Sequence, residues 1–377
     1  VTGAVDVTAL LAAHPVLDGH NDLPWALREL RGGASAVDVP GCGLATGNPL
    51  LHTDVPRLRA GAVGAQLWSV YVPSDLPEAQ AVVETFEQID LVHRIVEAHP
   101  DVFRWTPGVP EVRAALTDGL IASLAGVEGG HCIANSLGVL RALRRAGVAY
   151  MTLTHNDNTA WAASATGVPV EHGLTAFGRE VVTEMNRIGM LVDLSHVHRH
   201  TMHDALDVST RPVIFSHSSC RAVTDHPRDV PDDVLERLPV NGGVLMVTFV
   251  PPFVNQACRD HRAAAEALVG RLGLTGPTYD PVGEGVEEFR GWLSRNPRPH
   301  ATLDDVVAHL EHARDVTGPA HLGIGGDFDG TDELPEGLDD VAAYPRLIGV
   351  LADRGWSADD LAGLTSGNVL RVLDEAC

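Results

Sequence analysis

The sequence predicts an α/β fold: a (β/α)8 TIM-type barrel with loop insertions and extra C-terminal helices, one domain spanning residues 1–377. Three observations predict it. Eight short Val/Ile/Leu-rich runs are spread along the chain. Amphipathic helical patterns separate most of them. Side chains of metal-ligand type stand at the ends of most runs. Continuous apolar runs suit parallel strands covered on both faces. Eight such units fit a closed barrel better than an open doubly wound sheet, the alternative architecture.

Leu17–His20 is the first run, and Asp22 follows His20 by two positions. Residues two apart on a strand face one side, so one ion can touch both. A stretch rich in Gly, Ala and Pro, Arg31–Pro56, reads as a long loop. Ala65–Val72 is the second run. A helix over Glu78–Ala98 follows, with apolar residues at Val82, Val83, Phe86, Ile89, Ile95 and Val96. Leu120–Val127 leads to Glu128, with a helix near Leu137–Ala146 beyond it. Tyr150–Thr154 leads to His155. A helix over Ala176–Ile188 precedes Met190–Leu194, which leads to His196. Pro212–Phe215 leads to His217, and Gly243–Phe249 is the seventh run. Asn255–His300, with Gly-Pro and Pro-rich turns, breaks the rhythm before a helix over Thr302–Val316. His321–Gly325 is the eighth run and leads to Asp327. Helices over Val341–Asp353 and Ser357–Asp374 complete the pattern. Insertions after barrel strands lie on the catalytic face, so Arg31–Pro56 and Asn255–His300 are candidate substrate walls or lids.

The C-terminal ends of barrel strands form one ring, where catalytic groups gather. His20, Asp22, Glu128, His155, His196, His217 and Asp327 all fall at such ends. Their nitrogen and oxygen donors suit zinc or a similar divalent ion. With 19 histidines in the chain, any single one near a strand end carries little weight, and the ring as a whole is the signal. Most other histidines, His131 and His309 among them, read as surface, capping or packing residues.

Composition excludes several chemistries. All 27 basic residues are arginine. Schiff-base chemistry, pyridoxal-phosphate attachment and the phosphate-binding Gly-Lys-Ser/Thr loop are therefore ruled out. A carboxylated lysine between two metals is ruled out too, so an Asp or Glu must bridge any such pair. The net charge of −23 argues against nucleic acid and anionic membrane surfaces. No stretch approaches a membrane span, and no basic-plus-apolar leader precedes Val1. Cys42, Cys132, Cys220, Cys258 and Cys377 are widely spaced without a C-x-x-C pair, which predicts a reduced, cytoplasmic protein.

Six motifs in chain order carry a family resemblance: Asp18-Gly19-His20-Asn21-Asp22, Gly126-Val127-Glu128-Gly129, Leu153-Thr154-His155-Asn156, Asp193-Leu194-Ser195-His196, Ser216-His217-Ser218 and Gly325-Gly326-Asp327-Phe328-Asp329-Gly330. Together they resemble the membrane (renal) dipeptidases, binuclear zinc hydrolases of the amidohydrolase superfamily. The resemblance implies two zinc ions per subunit, bridged by Glu128 and hydroxide. It implies that His20 and Asp22 hold the first and His196 and His217 the second. His155 would sit over the substrate carbonyl, Asp327 would handle protons, and Arg228 would bind the substrate carboxylate. Asp329 is the rival of Asp327 for the proton role, or else a turn or supporting residue. The implied substrate is a dipeptide, with a D-residue accepted at its C-terminal position. A cyclic amidase, lactonase or β-lactam hydrolase on the same barrel is the alternative. The H-x-D opening and the absence of lysine weigh against the amidase and lactonase. Barrel hydrolases often dimerise, so a homodimer is an expectation with no particular sequence feature behind it.

Overall fold

A computed structural model describes residues 5–376. Its strands are β1 (Val16–Asn21), β2 (Val63–Tyr71), β3 (Phe103–Trp105), β4 (Ile121–Glu128), β5 (Val148–Thr152), β6 (Leu191–Asp193), β7 (Ile214–Ser218), β8 (Val244–Val247) and β9 (Leu322–Ile324). All pairings between these strands are parallel. β1 pairs with both β2 and β9, and β2 pairs with β4, so eight strands close a (β/α)8 barrel in the order β1-β2-β4-β5-β6-β7-β8-β9. These eight are the eight predicted runs. Each is buried along almost its whole length, as strands flanked by core on one side and helices on the other must be.

β3 lies outside the ring and was not expected. It pairs with the first half of β4, from Phe103 opposite Ile121 to Trp105 opposite Ser123, while β5 takes the second half from Ala125 onward. Three residues are too few to show a period.

The lower barrel is filled by Leu17, Leu67, Leu124, Tyr150, Ile214 and Met246. Helix Asn368–Ala376 seals its N-terminal end with Val369, Val372 and Leu373, beside Val112 and Ala115 of helix Val109–Thr117. The C-terminal mouth stays open to a cavity of about 850 Å3.

The predicted helices form, with one difference of facing. Helix Glu78–Ala98 buries Thr85, Gln88, Ile89, Val92, Ile95 and Val96, while Val83 and Phe86 are 57% and 37% exposed. Arg31–Pro56 is the loop the sequence predicts, with turns filling most of it up to helix Val55–Ala60. An unpredicted helix, Leu23–Arg31, precedes it directly after β1 and ends on Gly32 in the left-handed region (φ 74°). Asn255–His300 holds two helices, Gln256–Leu272 and Val286–Arg295. The Asn255 side chain caps the first, and Ala265, Leu268, Leu274 and Phe289 give the pair a small core of its own. No described helix is long and apolar enough to cross a membrane. Cys42, Cys132, Cys220 and Cys258 are free, and Cys377 lies outside the described residues.

Candidate metal centre

The sequence-predicted ring residues line the open mouth except His20, which lies fully buried against them. His20 stands near the end of β1. Asp22 is not on the strand; it is the residue preceding helix Leu23–Arg31. The turn of the chain, together with a register irregularity between Asp18 and Asn21, brings the two side chains together. Glu128 is the last residue of β4, and His217 lies within β7. His155, His196 and Asp327 each follow a strand by three residues. Two backbone bonds zip the β1 and β9 ends: Asp327 N–H donates to His20 O at 3.2 Å, and Asp22 N–H donates to Phe328 O at 2.9 Å.

Glu128 is the centre of the cluster, and its two oxygens serve different neighbours. Oε1 lies 3.0 Å from His196 Nε2 and 3.4 Å from His217 Nε2, and those nitrogens are 2.9 Å apart. Oε2 lies 3.5 Å from His20 Nε2, which is 3.2 Å from Asp22 Oδ2. Ligands about 2.0–2.1 Å from a tetrahedral zinc are separated by roughly 3.3 Å. These five separations lie close to that spacing. His20 Nε2 is buried and has no hydrogen-bond partner among the described residues, as an atom reserved for a cation would be. Asp327 Oδ1 lies 4.0 Å from the same nitrogen. His155 Nε2 lies 3.9 Å from Glu128 Oε1, and the His155 ring packs on His196 and Tyr71 with centroids at 4.5 and 4.8 Å.

Residues beneath the ring orient it, and sequence reasoning gave them no role. Tyr150 OH is 3.0 Å from His20 Nδ1. It can accept the Nδ1 proton and leave Nε2 free to ligate. Gly126 makes room for that ring: a Cβ there would come within 1.9 Å of it. Ser216 Oγ donates to Asp193 Oδ2 at 2.6 Å and accepts from His217 Nδ1 at 2.8 Å. Ser69 Oγ donates to Glu128 Oε2 at 3.0 Å. Asp18 accepts from the Gly326 N–H at 2.9 Å, tying β1 to the β9 loop. Asp18 and Asp193 stood inside the quoted motifs, which was the available signal.

His196 and Asp327 take left-handed backbone angles (φ 67° and 61°). Such geometry costs of order 1–3 kcal/mol outside glycine and collects at functional sites. The His196 carbonyl accepts from the Ala165 N–H at 2.8 Å and the Thr154 hydroxyl at 3.3 Å, while the Ser164 hydroxyl holds the His155 carbonyl at 2.6 Å. Asp329, also left-handed (φ 64°), turns away: its Oδ1 accepts the His52 N–H at 2.6 Å.

Burial and charge set the protonation of the ring. Burial holds His196 and His217 well below the ordinary imidazole value, and Arg228 adds to it. Burial also lowers His155. His20 is lifted well above its ordinary value: burial opposes this, but Tyr150, Glu128 and Asp22 outweigh it. Burial opposes the charged form of Glu128 as well, yet the surrounding imidazoles, His20 first, hold it well below the usual carboxylate range. Asp327 goes the other way. Burial pushes it up to about 8, against the pull of His20 and with the help of Asp22 and Glu128.

Arg228 lies ten residues beyond β7 and is 2% exposed. It donates to Ser218 Oγ at 3.3 Å and His217 O at 3.2 Å, and sits over the Phe253 ring at 5.2 Å. Its Nε has no partner among the described residues. A buried guanidinium with donors to spare, lining the cavity, can take an anion. The lid helix Gln256–Leu272 lines this cavity, whereas Arg31–Pro56 supplies none of the lining residues and acts through His52 instead.

Comparison with known proteins agrees with this geometry. The sequence profile described as membrane dipeptidase (peptidase family M19) matches residues 5–377. An uncharacterized dipeptidase of Schizosaccharomyces pombe is 41% identical over 382 residues, covering 96% of this chain and 81% of that protein. Two solved structures share the fold. The probable dipeptidase PvdM from Pseudomonas aeruginosa superimposes with a TM-score of 0.81 at 19% identity, covering 98% of this chain and 97% of that one. A metallopeptidase from Rhodobacter sphaeroides, liganded with a phosphinate mimic of L-Ala-D-Ala, gives 0.78 at 22% identity, covering 96% and 99%.

Proposed function

Because this chain belongs to the membrane dipeptidase family, we propose that it is a binuclear zinc dipeptidase that accepts a D-residue at the C-terminal position. The observation that carries the two-ion reading is the division of the Glu128 oxygens between two sets of donors. His20, Asp22 and Glu128 would hold one ion; His196, His217 and Glu128 would hold the other. When bound, such a pair supplies a water ionised near neutral pH and a Lewis acid for the scissile carbonyl.

The chain's own groups do the rest. Arg228 holds the substrate α-carboxylate, which fits a substrate ending one residue beyond the scissile bond. His155, kept neutral by burial, donates its N–H to the carbonyl oxygen as negative charge grows there. One such donor is worth about 10²–10³ in rate. Asp327 takes the proton given up during attack and passes it to the leaving amine. Burial raises Asp327 to about 8, which suits a group that both takes up and releases a proton near neutral pH. The Rhodobacter complex with an L-Ala-D-Ala mimic supports the D-residue.

The test is metal analysis of the purified protein together with hydrolysis of L-Ala-L-Ala, L-Ala-D-Ala and a tripeptide. We expect close to two divalent ions per chain, cleavage of both dipeptides and little cleavage of the tripeptide. A protein that binds no metal after zinc loading, or cleaves no dipeptide, overturns the reading.

A further inference from the structure

The walls of the cavity differ in charge. The loop carrying Arg228 is tied to the lid: the Asp225 N–H donates to Gln256 Oε1 at 2.9 Å. From there helix Gln256–Leu272 runs along the cavity, and Arg259 and Arg262 line it. Three residues apart, they share one helix face. His226 joins this wall, packed on Phe253 with ring centroids 4.4 Å apart. Burial and then Arg228, Arg259 and Arg262 push His226 down to about 3, a sign of how much positive charge gathers there. The other side of the cavity carries Trp25, Glu29 and Tyr71. Burial raises Tyr71, and Glu128, Asp22, Asp75 and Glu29 raise it further.

Arg259 and Arg262 have no task in the fold. Their side chains are 33% and 45% exposed, and among the described residues they pair only with neighbours on their own helix, Asp260 at 2.8 Å and Glu266, which also lines the cavity, at 2.9 Å. Exposed pairs of this kind contribute little, so a substrate carboxylate can draw either guanidinium away. Arg228, Arg259 and Arg262 all line the cavity and all act on His226, so a dipeptide whose α-carboxylate rests on Arg228 would have its second side chain beside this basic wall.

Resting on the dipeptidase reading above, we propose that Arg259 and Arg262 are specificity-determining residues for the C-terminal side chain. The preferred substrates are dipeptides ending in an acidic residue, Asp or Glu. The amide isosteres Asn and Gln fill the same space without the charge and are discriminated against.

The experiment compares kcat/KM for Ala-Asp, Ala-Asn and Ala-Ala, with the second residue in each configuration, on the zinc-loaded enzyme. Two exposed ion pairs predict that Ala-Asp exceeds Ala-Asn by about two- to thirty-fold at low salt. The ratio should fall toward one in high salt, and also in the Arg259→Gln/Arg262→Gln double variant, with each single variant intermediate. The ratio is the readout because it cancels any general loss of activity in the variants. Equal rates for Ala-Asp and Ala-Asn in the unmodified enzyme overturn the proposal, and so does a preference that survives the double substitution. If Ala-Ala is cleaved but the ratio is one, only the specificity fails. If none of the three is cleaved, the dipeptidase reading itself fails.

Discussion

Ser216→Ala tests the site through an atom that touches no metal and no substrate. To ligate through Nε2, His217 must carry its proton on Nδ1. Ser216 Oγ, 2.8 Å away, can accept that proton because its own hydrogen goes to Asp193 Oδ2 at 2.6 Å. Asp193 is committed to the acceptor role by further donors: Thr152 Oγ1 at 2.6 Å, Ser216 N–H at 2.8 Å and Ser195 N–H at 3.1 Å. All three members of the relay are buried. Removing Oγ leaves the Nδ1–H buried without an acceptor, which costs about 1–3 kcal/mol. That equals roughly 5- to 150-fold in affinity, in line with the ~10–100-fold loss typical when a ligand's supporting partner is removed. The loss falls on the ion shared by His196, His217 and Glu128 Oε1. The other ion depends on His20, whose Nδ1 faces Tyr150 instead. An equilibrium competition titration with a chromophoric chelator should therefore show one weakened and one nearly unchanged site. Urea unfolding of the metal-free variant checks that the fold survives. Two unchanged sites would refute the relay. Equal weakening of both, with the metal-free stability intact, would refute the division of ligands.

Asp327→Asn should keep both metals yet lose about 10²–10⁴ of kcat; normal turnover would rule out its proton role. Arg228→Met should raise KM for dipeptides by roughly 10–150-fold and affect dipeptide amides much less, so equal losses on both substrates would exclude carboxylate binding. Gly330→Ala should lower turnover and the affinity of the His20–Asp22 ion, because a Cβ would lie 2.3 Å from Asp22 Oδ2 and 2.4 Å from Asp327 Oδ1; a fully active variant would contradict that crowding. Burial and nearby arginines hold His226 down to about 3 in the fold, while the unfolded chain takes up its proton below about pH 6.5. The unfolded state then binds more protons, so His226 costs stability as pH falls, up to ~1.4 kcal/mol per pH unit. Urea unfolding of the parent and His226→Asn should diverge in the variant's favour from pH 6.5 toward 4; parallel pH profiles would exclude the shift.

The barrel was legible because its strands are long enough, apolar enough and separated by helices. Where an element is short or its burial is decided by distant neighbours, the pattern failed. β3 has three residues and borrows half of an edge from β4. Helix Glu78–Ala98 buries Gln88 and Thr85 and exposes Val83, so hydrophobicity alone misplaced its inner face. The Gly-Pro and Pro-rich turns of Asn255–His300 marked an insertion, but its two helices, which share only a small core around Leu268 and Phe289, were not read from the pattern. Asp22 reaches His20 across a strand-to-helix turn, not along a strand, yet the short spacing in sequence still brought them together.

The same division runs through the site. Candidate ligands such as Glu128 stood out because a strand end has a fixed address: the residue opposite it on β2 is Tyr71 and on β5 is Thr152. The choice between Asp327 and Asp329 had no such address. The two are two residues apart, both acidic, both left-handed in backbone. What separates them is His52, 277 positions away in the chain, which takes Asp329 Oδ1 with its N–H and accepts the Asp329 N–H on Nδ1 at 3.0 Å. That clamp removes Asp329 from the metal ring, while Asp327 Oδ1 stays 4.0 Å from His20 Nε2. A loop that lines no part of the cavity thus fixes which carboxylate faces the ring. Cutting the clamp at His52 should therefore disturb proton transfer more than metal binding, because it loosens the turn that aims Asp327 and leaves the Glu128 contacts alone.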